Sequence, residues 1–270
     1  MAEPLLRVER DGPIALLTFD DPARLNAMTE PMGQALRAAV DSLRGDEALR
    51  AAVLTGAGRA FSAGGDLDLI EAKARAGGAS PGGAVREENR AFMERFYGLY
   101  LSVRELPFPT LAAINGPAIG AGFCVALGCD LRIAARDAKL GLNFVRLGIH
   151  PGMGASWTLP RLVGPARAAE LLFTGRTLGG EEAERMGLVN RAVAREEVLP
   201  ASLALAKEIA ASAPFPVRGA KQALARSPVA TLEEQLRFEA EQQARNYESR
   251  DLLEGIAAAR EKRDPRFEGR

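Results

Sequence analysis

The sequence predicts an α/β protein in which a mostly parallel sheet is followed by a helical region, and two observations support this. Short apolar segments typical of buried strands alternate with segments of helical periodicity in the N-terminal part of the chain. Such alternation is typical of parallel strands joined by crossover helices. Residues 165–263 are almost entirely helical in pattern, with one brief strand candidate at Leu188–Val193. This change predicts an α/β core at residues 1–195 and a helical C-terminal region at residues 196–270.

The first predicted elements are the two strands of a β-hairpin. Leu5–Arg10 and Ile14–Phe19 have the composition of strands, and Asp11-Gly12 between them is a favoured hairpin turn. Thr29 then has the features of a helix N-cap, with Glu30 and Pro31 in the first turn. The apolar face of that helix is formed by Met32, Leu36, Val40 and Leu43.

The later elements follow from the same rules. Apolar runs bounded by turn residues predict strands, and longer periodic segments predict helices. The segment Ala76–Gly83 (AGGASPGG) is rich in small residues and is predicted to be the most flexible part of the chain. The predicted elements are strands at Ala51–Thr55, Thr110–Ile114, Leu131–Ala134 and Lys139–Leu142, and helices at Val85–Leu106 and Gly120–Gly128.

Composition and charge exclude several classes of protein. The 270 residues include 35 basic and 35 acidic side chains, so long-range attraction to nucleic acid or to an anionic membrane is not expected. No apolar run reaches the ~20 residues of a membrane span, and no signal peptide is recognised. Two cysteines make no disulfide framework and fit a reducing cytoplasm. No zinc-type spacing of cysteine or histidine is present, so no metal is predicted.

Two glycine-rich loops each follow a buried strand and lead into a helix. The first contains Phe61–Asp66 (FSAGGD), and the second contains Gly116–Gly122 (GPAIGAG). Such loops expose backbone N–H groups, and two of these groups directed at one oxygen make an oxyanion hole. The alternative is that these glycines serve only tight turns and close packing. Neither loop is a dinucleotide fingerprint, because Val125 stands where G-x-G-x-x-G requires its last glycine.

A few reactive side chains allow other interpretations. Ser62 lies in a sequence close to a hydrolase nucleophile elbow, and Asp130 and His150 follow it in the order of a hydrolase triad. His150, the only histidine, is either a proton shuttle or a loop residue that bonds to backbone. Cys124 is either a thiol activated near a helix N-terminus or a small apolar core residue, and Cys129 is interpreted as core.

Seven motifs spread along the chain resemble the crotonase family, also called the enoyl-CoA hydratase/isomerase family. The resemblance implies a spiral of ββα turns with a helical C-terminal region that forms trimers, often stacked as hexamers. It also implies an acyl-CoA substrate, with coenzyme A as part of that substrate and no tightly bound cofactor. The motifs are Asn26-Ala27, Ala60–Leu67, Ala112–Asp130, Leu147–Gly154, Leu172–Gly175, Glu182–Val189 and Glu254–Phe267.

The resemblance assigns roles to particular residues. The thioester carbonyl oxygen would lie between the backbone N–H groups of Gly65 and Ala121, which would stabilise an enolate. Lys262 matches a lysine that reaches CoA from the next subunit in the family, although it is equally explained as a solvated helix charge. The other positions that match CoA or acyl contacts are Arg24, Ala27, Ala63, Asp66, Leu67, Cys124 and Phe144.

The sequence departs from the family where its acid and base should stand. Hydratases of the family use two glutamates, and those positions fall on Cys124 and Phe144. The double-bond isomerases use the second position, and an aspartate of other members falls on Gly152. A thiol is a poor substitute for a carboxylate at neutral pH, and a phenyl ring carries no proton. Hydration of a simple enoyl-CoA is therefore predicted to be weak or absent.

Other side chains are candidates for the missing chemistry. Tyr97 falls where a dehalogenating relative carries an active-site histidine, and Asp68 follows the first loop by three residues. His150 is a further candidate, and Glu87 and Glu88 lie beside the segment predicted to be flexible. The sequence thus predicts a crotonase-like enzyme with a non-standard acid or base. The alternatives are a non-catalytic acyl-CoA carrier and, third, a serine hydrolase.

Overall fold

The computed structural model describes residues 4–79 and 82–270, and it has the α/β architecture that the sequence predicts. The strands are β1 (Leu6–Asp11), β2 (Ile14–Phe19), β3 (Ala51–Gly56), β4 (Thr110–Ile114), β5 (Ala118–Ile119), β6 (Leu131–Ala135), β7 (Leu140–Gly141), β8 (Thr177–Leu178) and β9 (Arg191–Val193). The helices are α1 (Glu30–Leu43), α2 (Leu67–Ala79), α3 (Gly83–Leu101), α4 (Ala121–Gly128), α5 (Ala155–Thr174), α6 (Gly180–Met186), α7 (Val198–Ala210), α8 (Pro214–Arg226), α9 (Leu232–Asn246) and α10 (Arg250–Glu261).

A six-stranded sheet in the order β1-β2-β3-β4-β6-β9 forms the centre of the core. Only the β1–β2 hairpin is antiparallel, and each later pair in this sheet is parallel. Strands β5, β7 and β8 form a second, smaller sheet. Because β3 and β4 are parallel neighbours, their carboxyl ends lie at the same edge of the sheet. The prediction of a mostly parallel sheet is confirmed.

Local sequence signals explain the N-terminal elements. Gly12 has φ +58°, the left-handed conformation that the hairpin turn requires. The Thr29 side chain accepts a hydrogen bond from the backbone N–H of Met32 at 3.3 Å, as an N-cap should. On α1, Met32, Leu36 and Val40 are buried. The hairpin and the capped amphipathic helix are therefore confirmed.

Two predicted boundaries were wrong. The long helix ends at Leu101 rather than Leu106, and a 3₁₀ turn at Ser102–Glu105 follows it. The same helix begins at Gly83 rather than Val85. Residues 76–79 form the last turn of α2, and the flexibility predicted for that segment stays a prediction. Ser80 and Pro81, in the same predicted segment, lie outside the described residues.

The C-terminal helices follow the last strand. Helix α7 packs on β3, β4 and β6, while α8 and α9 pack on each other. The boundary at residues 195 and 196 stays a prediction. Across the described chain, no helix combines the length and the apolar character that crossing a bilayer would need.

Candidate active site

The two glycine-rich loops meet at the carboxyl ends of β3 and β4. The backbone N–H of Ile119 donates to the carbonyl of Ser62 at 3.0 Å, and the Ser62 N–H donates to the carbonyl of Pro117 at 3.1 Å. Ser62 and Ala118 also form an isolated parallel bridge. The loops are thus held together by backbone hydrogen bonds rather than by side chains.

Two glycines allow this close approach. Gly64 has φ +90°, and a Cβ at this position would lie 2.4 Å from the carbonyl oxygen of Ile119 and 3.6 Å from the backbone nitrogen of Ala121. A Cβ on Gly122 would lie 2.7 Å from the Ser62 hydroxyl oxygen. Since real contacts of Cβ atoms are longer, both positions require glycine as the backbone now stands. Close packing and an exposed backbone therefore occur together here. The glycines can serve tight packing and also leave backbone N–H groups free, so the two interpretations of these loops are compatible.

Backbone N–H groups without an acceptor in the described part of the chain include one in each of the two loops. These two belong to Gly65 and Ala121. Ala121 is the first residue of α4, so its N–H has no intrahelical partner. Both residues line the same cavity, and Ala121 is 7% exposed. The cavity therefore has two free backbone donors in its lining, and donors of this kind are the components of an oxyanion hole.

The cavity beside these donors has a volume of about 720 Å³. It brings together most of the predicted site residues, whereas Cys124 and Lys262 are not in its lining. Lys262 lies at the C-terminal end of α10. The predicted residues that line the cavity are Arg24, Ala27, Ala63, Gly65, Asp66, Leu67, Asp68, Tyr97, Ala121, Phe144 and His150.

An ion pair between Arg24 and Asp66 lies at one part of the cavity wall. An Asp66 oxygen also accepts from the backbone N–H groups of Asp68 and Leu69, at 2.9 and 3.1 Å, at the start of α2. Burial raises the pKa of Asp66, whereas the hydrogen bond from the Leu69 N–H and the positive charge of Arg24 lower it. The lowering effects are larger together, so the pKa of Asp66 lies below its usual range. Asp66 is therefore an ionised structural carboxylate.

The two positions to which the resemblance assigns the hydratase glutamates are apolar in the structure. Cys124 on α4 is buried, and its Sγ lies 3.7 Å from the carbonyl oxygen of Gly152. Burial raises the pKa of the Cys124 thiol, so it is protonated at neutral pH. Phe144, on the 3₁₀ turn Asn143–Leu147, is 8% exposed and lines the cavity. Neither side chain can exchange a proton with a substrate near neutral pH.

The hydroxyl of Tyr97 lies close to Gly152. A Cβ on Gly152 would lie 2.4 Å from the Tyr97 Oη, so the phenol fills the space that a side chain at position 152 would enter. Burial and the nearby Cys124 raise the pKa of Tyr97, and the backbone N–H of Met153 partly opposes this. Tyr97 is thus a half-buried, protonated hydroxyl on the cavity wall.

The other candidate side chains are more exposed. Asp68 lies at the start of α2 and is exposed. His150 is also exposed, and its Nδ1 lies 2.8 Å from the carbonyl oxygen of Pro151. Glu87 is paired with Arg90 on the outside of α3. Tyr97 is consequently the candidate that is best shielded from water.

The serine-hydrolase triad does not form. Ser62 is fully buried, and its hydroxyl donates to the carbonyl of Asn26 at 2.7 Å. Asp130 accepts from the Thr110 hydroxyl at 2.9 Å and pairs with Lys221 at 2.8 Å. Because His150 contacts neither residue and bonds to backbone, this hypothesis was wrong.

One wall of the cavity was not predicted. It is formed by α2 and α3, which contribute both polar and apolar side chains. The spacing on α3 has the i, i+3, i+4 period of one helix face, and this signal could have identified the wall. The lining residues on these helices that the sequence did not single out are Leu69, Ile70, Lys73, Ala74, Asn89, Phe92, Met93 and Phe96.

Comparison with known proteins gives a consistent result. The family model "Enoyl-CoA hydratase/isomerase" matches residues 9–270. The human "Enoyl-CoA hydratase domain-containing protein 2, mitochondrial" is 38% identical over 265 residues, which is 96% of this chain and 87% of that protein. The Escherichia coli 1,2-epoxyphenylacetyl-CoA isomerase is 36% identical over 258 residues, or 95% of each chain. The crystal structure of enoyl-CoA hydratase from Bacillus anthracis superposes with a TM-score of 0.90 at 32% identity, covering 98% of this chain and all of that one.

Proposed function

The chain belongs to the enoyl-CoA hydratase/isomerase family, and we propose that it binds an acyl-CoA thioester and stabilises the enolate of that thioester between the backbone N–H groups of Gly65 and Ala121. One observation carries this proposal: both donors lack a partner in the described chain, and both line one cavity. Preorganised donors of this kind contribute roughly 10²–10³-fold to a rate.

Ordinary hydration of an enoyl-CoA is weak or absent in this proposal. Hydration needs one group to take a proton from water and another to protonate the α-carbon. Cys124 is buried and protonated, and Phe144 has no titratable group. The chemistry that remains is an isomerase or lyase reaction that depends on the enolate and on a single proton-transfer group.

Tyr97 is the proposed proton-transfer group. It lines the same cavity as Gly65 and Ala121, and its hydroxyl occupies the space above Gly152. A phenol with a raised pKa is protonated at neutral pH, so it can protonate an enolate carbon. Asp68 and His150 are weaker candidates because water screens both of them.

The CoA moiety is proposed to bind near Arg24. Arg24 pairs with Asp66 and retains donors for a phosphate or ribose oxygen, and Ala27, Ala63 and Leu67 line the adjoining wall. Lys262 is proposed to contact CoA from a neighbouring subunit, since it lies outside the cavity of its own chain.

A trimer, or a hexamer of two trimers, is the proposed assembly. Several large apolar side chains on the C-terminal helices are exposed, including Leu232, Leu236 and Leu253. Such side chains on one region of a surface support burial against another chain. Sedimentation velocity should show three or six chains, and a monomer at all concentrations would contradict the assembly.

The cytoplasm is the proposed location. Cys124 and Cys129 are both free thiols in the structure, which supports a reducing compartment. Fractionation that recovers the protein outside the cytoplasm would contradict this.

Crotonyl-CoA labelled with ¹³C at its carbonyl tests the proposed function with two readouts. Infrared difference spectra should show the bound carbonyl stretch shifted to lower frequency, because two donors polarise it. The absorbance of the conjugated thioester should persist, since hydration is weak. A bound ester with an unshifted carbonyl band would contradict the oxyanion hole. Turnover near normal hydratase rates would contradict the proposal that the protein lacks the acid and base needed for hydration.

A non-catalytic acyl-CoA carrier is the second candidate, and the loss of both glutamates favours it. It requires the same shifted carbonyl band, so the spectrum does not separate the two. Exchange of the α-hydrogens of butyryl-CoA with deuterated water separates the enzyme from the carrier, because an enolate must form for exchange to occur. Exchange no faster than in buffer would favour the carrier.

A further inference from the structure

A positively charged cluster lies on the cavity wall formed by α2 and α3. The Lys73 Nζ donates to the Asn89 Oδ1 at 3.2 Å and lies 3.8 Å from the centroid of the Phe92 ring. All three residues line the cavity, and Lys73 and Asn89 are partly buried. We call Lys73, Asn89 and Phe92 the distal cluster.

The distal cluster has hydrogen-bond donors without acceptors, and the ammonium group of Lys73 has no carboxylate beside it. An ammonium group only donates, so the amide oxygen of Asn89 must face Lys73, and its Nδ2 remains a second donor. Over the described residues, no carboxylate lies within 4.0 Å of Lys73 Nζ, and Asn89 Nδ2 has no acceptor. Two nearby carboxylates on the same helices, Glu71 and Glu87, are paired with Arg75 and Arg90 instead. An acceptor with negative charge would complement these donors.

The acidic residues of the cavity do not neutralise this cluster. Asp66 is paired with Arg24 and caps α2. Asp68 is exposed, and it precedes Lys73 by five residues, which is about 140° around the helix. The charge of Lys73 is therefore available to a ligand in the cavity.

The distal cluster lies far from the reacting atoms. Asn89 precedes Tyr97 by eight residues on α3, which is about 12 Å along the helix axis. On α2, Ile70 approaches Gly65, where an added Cβ would lie 3.2 Å from the Ile70 Cδ1, and Lys73 is about one turn further on. The wall between the two ends is apolar and includes Met93 and Phe96. An acyl chain extending from Gly65 along this wall would end at the distal cluster.

We propose that the acyl group of the substrate carries a carboxylate at its far end, so that the ligand is the mono-CoA ester of a dicarboxylic acid. Lys73 Nζ and Asn89 Nδ2 would bind that carboxylate, and the apolar wall would contact the methylene chain. This inference rests on the proposed function, since it assumes that a CoA thioester occupies the same cavity. It adds the chemical class of the acyl group, which the oxyanion donors do not define.

Binding of matched ligands tests the inference without requiring turnover. Dissociation constants are measured by calorimetry for mono-CoA esters of dicarboxylic acids from glutaryl to sebacyl, each against the fatty acyl-CoA of the same carbon number. At the best length, the dicarboxylic ester should bind about tenfold more tightly than its neutral counterpart. This preference should weaken as salt is raised, because Lys73 is only partly buried.

Two variants separate a charge effect from a packing effect. Lys73→Met keeps an unbranched chain against Phe92 and removes the charge, so the preference should fall to about twofold or less while the neutral ester binds as before. Asn89→Asp keeps the lysine but gives it a carboxylate 3.2 Å away in the present geometry, so the preference should also be lost. Lys139→Met is the matched control, since Lys139 is exposed and does not line the cavity.

The outcomes distinguish this inference from the proposed function. Failure of every CoA ester to bind would contradict the proposed function itself. Equal binding of both ester types to the unaltered protein would overturn the inference and leave the proposed function standing. A full preference retained in Lys73→Met or in Asn89→Asp would overturn it as well. Circular dichroism confirms that each variant is folded.

Discussion

The proposed active site has a backbone half and a side-chain half, and the two halves differ in how far they match the pattern that the family resemblance implies. The backbone half consists of the loops around Gly65 and Ala121, whose free N–H groups line the cavity. The side-chain half consists of Cys124, Phe144 and Gly152, the positions at which the family resemblance implies acids and bases. The first half keeps its chemical groups, whereas the second has none that titrates near neutral pH.

This difference follows from where each function resides. An N–H donor belongs to the main chain, so the alanine at position 121 leaves it in place. A carboxylate belongs to one side chain, and one substitution removes it. The backbone half is also tied to folding, because added Cβ atoms at Gly64 and Gly122 would collide with neighbouring loop atoms. The side-chain half carries no such constraint at Cys124 and Phe144, which pack as ordinary core residues.

Ala121→Pro should break the backbone half and give the largest effect. Proline removes the N–H at the first position of a helix, where proline is otherwise tolerated. We expect exchange of the α-hydrogens of butyryl-CoA with deuterated water to fall about 10²–10³-fold. Mass spectrometry of the recovered ester measures this exchange.

Ala121→Gly is the matched control for that variant. It keeps the backbone donor, so exchange and the shifted carbonyl band should both be retained. Unchanged exchange in a folded Ala121→Pro protein would mean that Ala121 does not contact the thioester oxygen.

Tyr97→Phe sharpens the comparison by testing the hydroxyl that lies against Gly152 of the side-chain half. Loss of the hydroxyl should slow the same exchange about 10²-fold, the lower end for a proton-transfer group, because a high pKa is poorly matched to neutral pH. The active species for removing a proton is the phenolate. Since burial raises the pKa of Tyr97, the phenolate fraction grows about tenfold per pH unit below that pKa, and exchange should rise in parallel between pH 6 and 9.

The pH profile separates a chemical role of Tyr97 from a packing role. In Tyr97→Phe, the enzyme-dependent exchange should lose this rise once the rate in buffer is subtracted. Affinity for butyryl-CoA should change little, because the ring remains. A variant with the same slope as the unaltered protein would contradict a role for the hydroxyl.

Elements that depend on local signals could be predicted from the sequence. The Asp11-Gly12 turn, the Thr29 cap and the strand at Thr110–Ile114 each follow from a few adjacent residues, and the structure confirms all three. The end of α3 at Leu101 could not be predicted in this way, because a 3₁₀ turn continues the same hydrophobic pattern. Local pattern does not distinguish the two kinds of helix.

Contacts between distant segments were the harder part of the site. The order Ser62, Asp130, His150 matched a hydrolase, yet each side chain bonds elsewhere, because order along a chain does not determine proximity. The contact of Tyr97 with Gly152 and that of Lys73 with Asn89 each join two elements whose relative placement depends on core packing. Family resemblance indicated which positions lack acids, but not which side chain fills the space.

The contact between Tyr97 and Gly152 also bears on how this protein can evolve. A side chain at position 152 would require the phenol at position 97 to move, because a Cβ there would lie 2.4 Å from the hydroxyl oxygen. An aspartate at position 152, which the family resemblance implies for other members, would therefore have to displace the tyrosine hydroxyl or follow its replacement by a smaller residue. The two positions are thus coupled, so the effect of gaining a carboxylate at position 152 should depend on whether tyrosine stands at position 97.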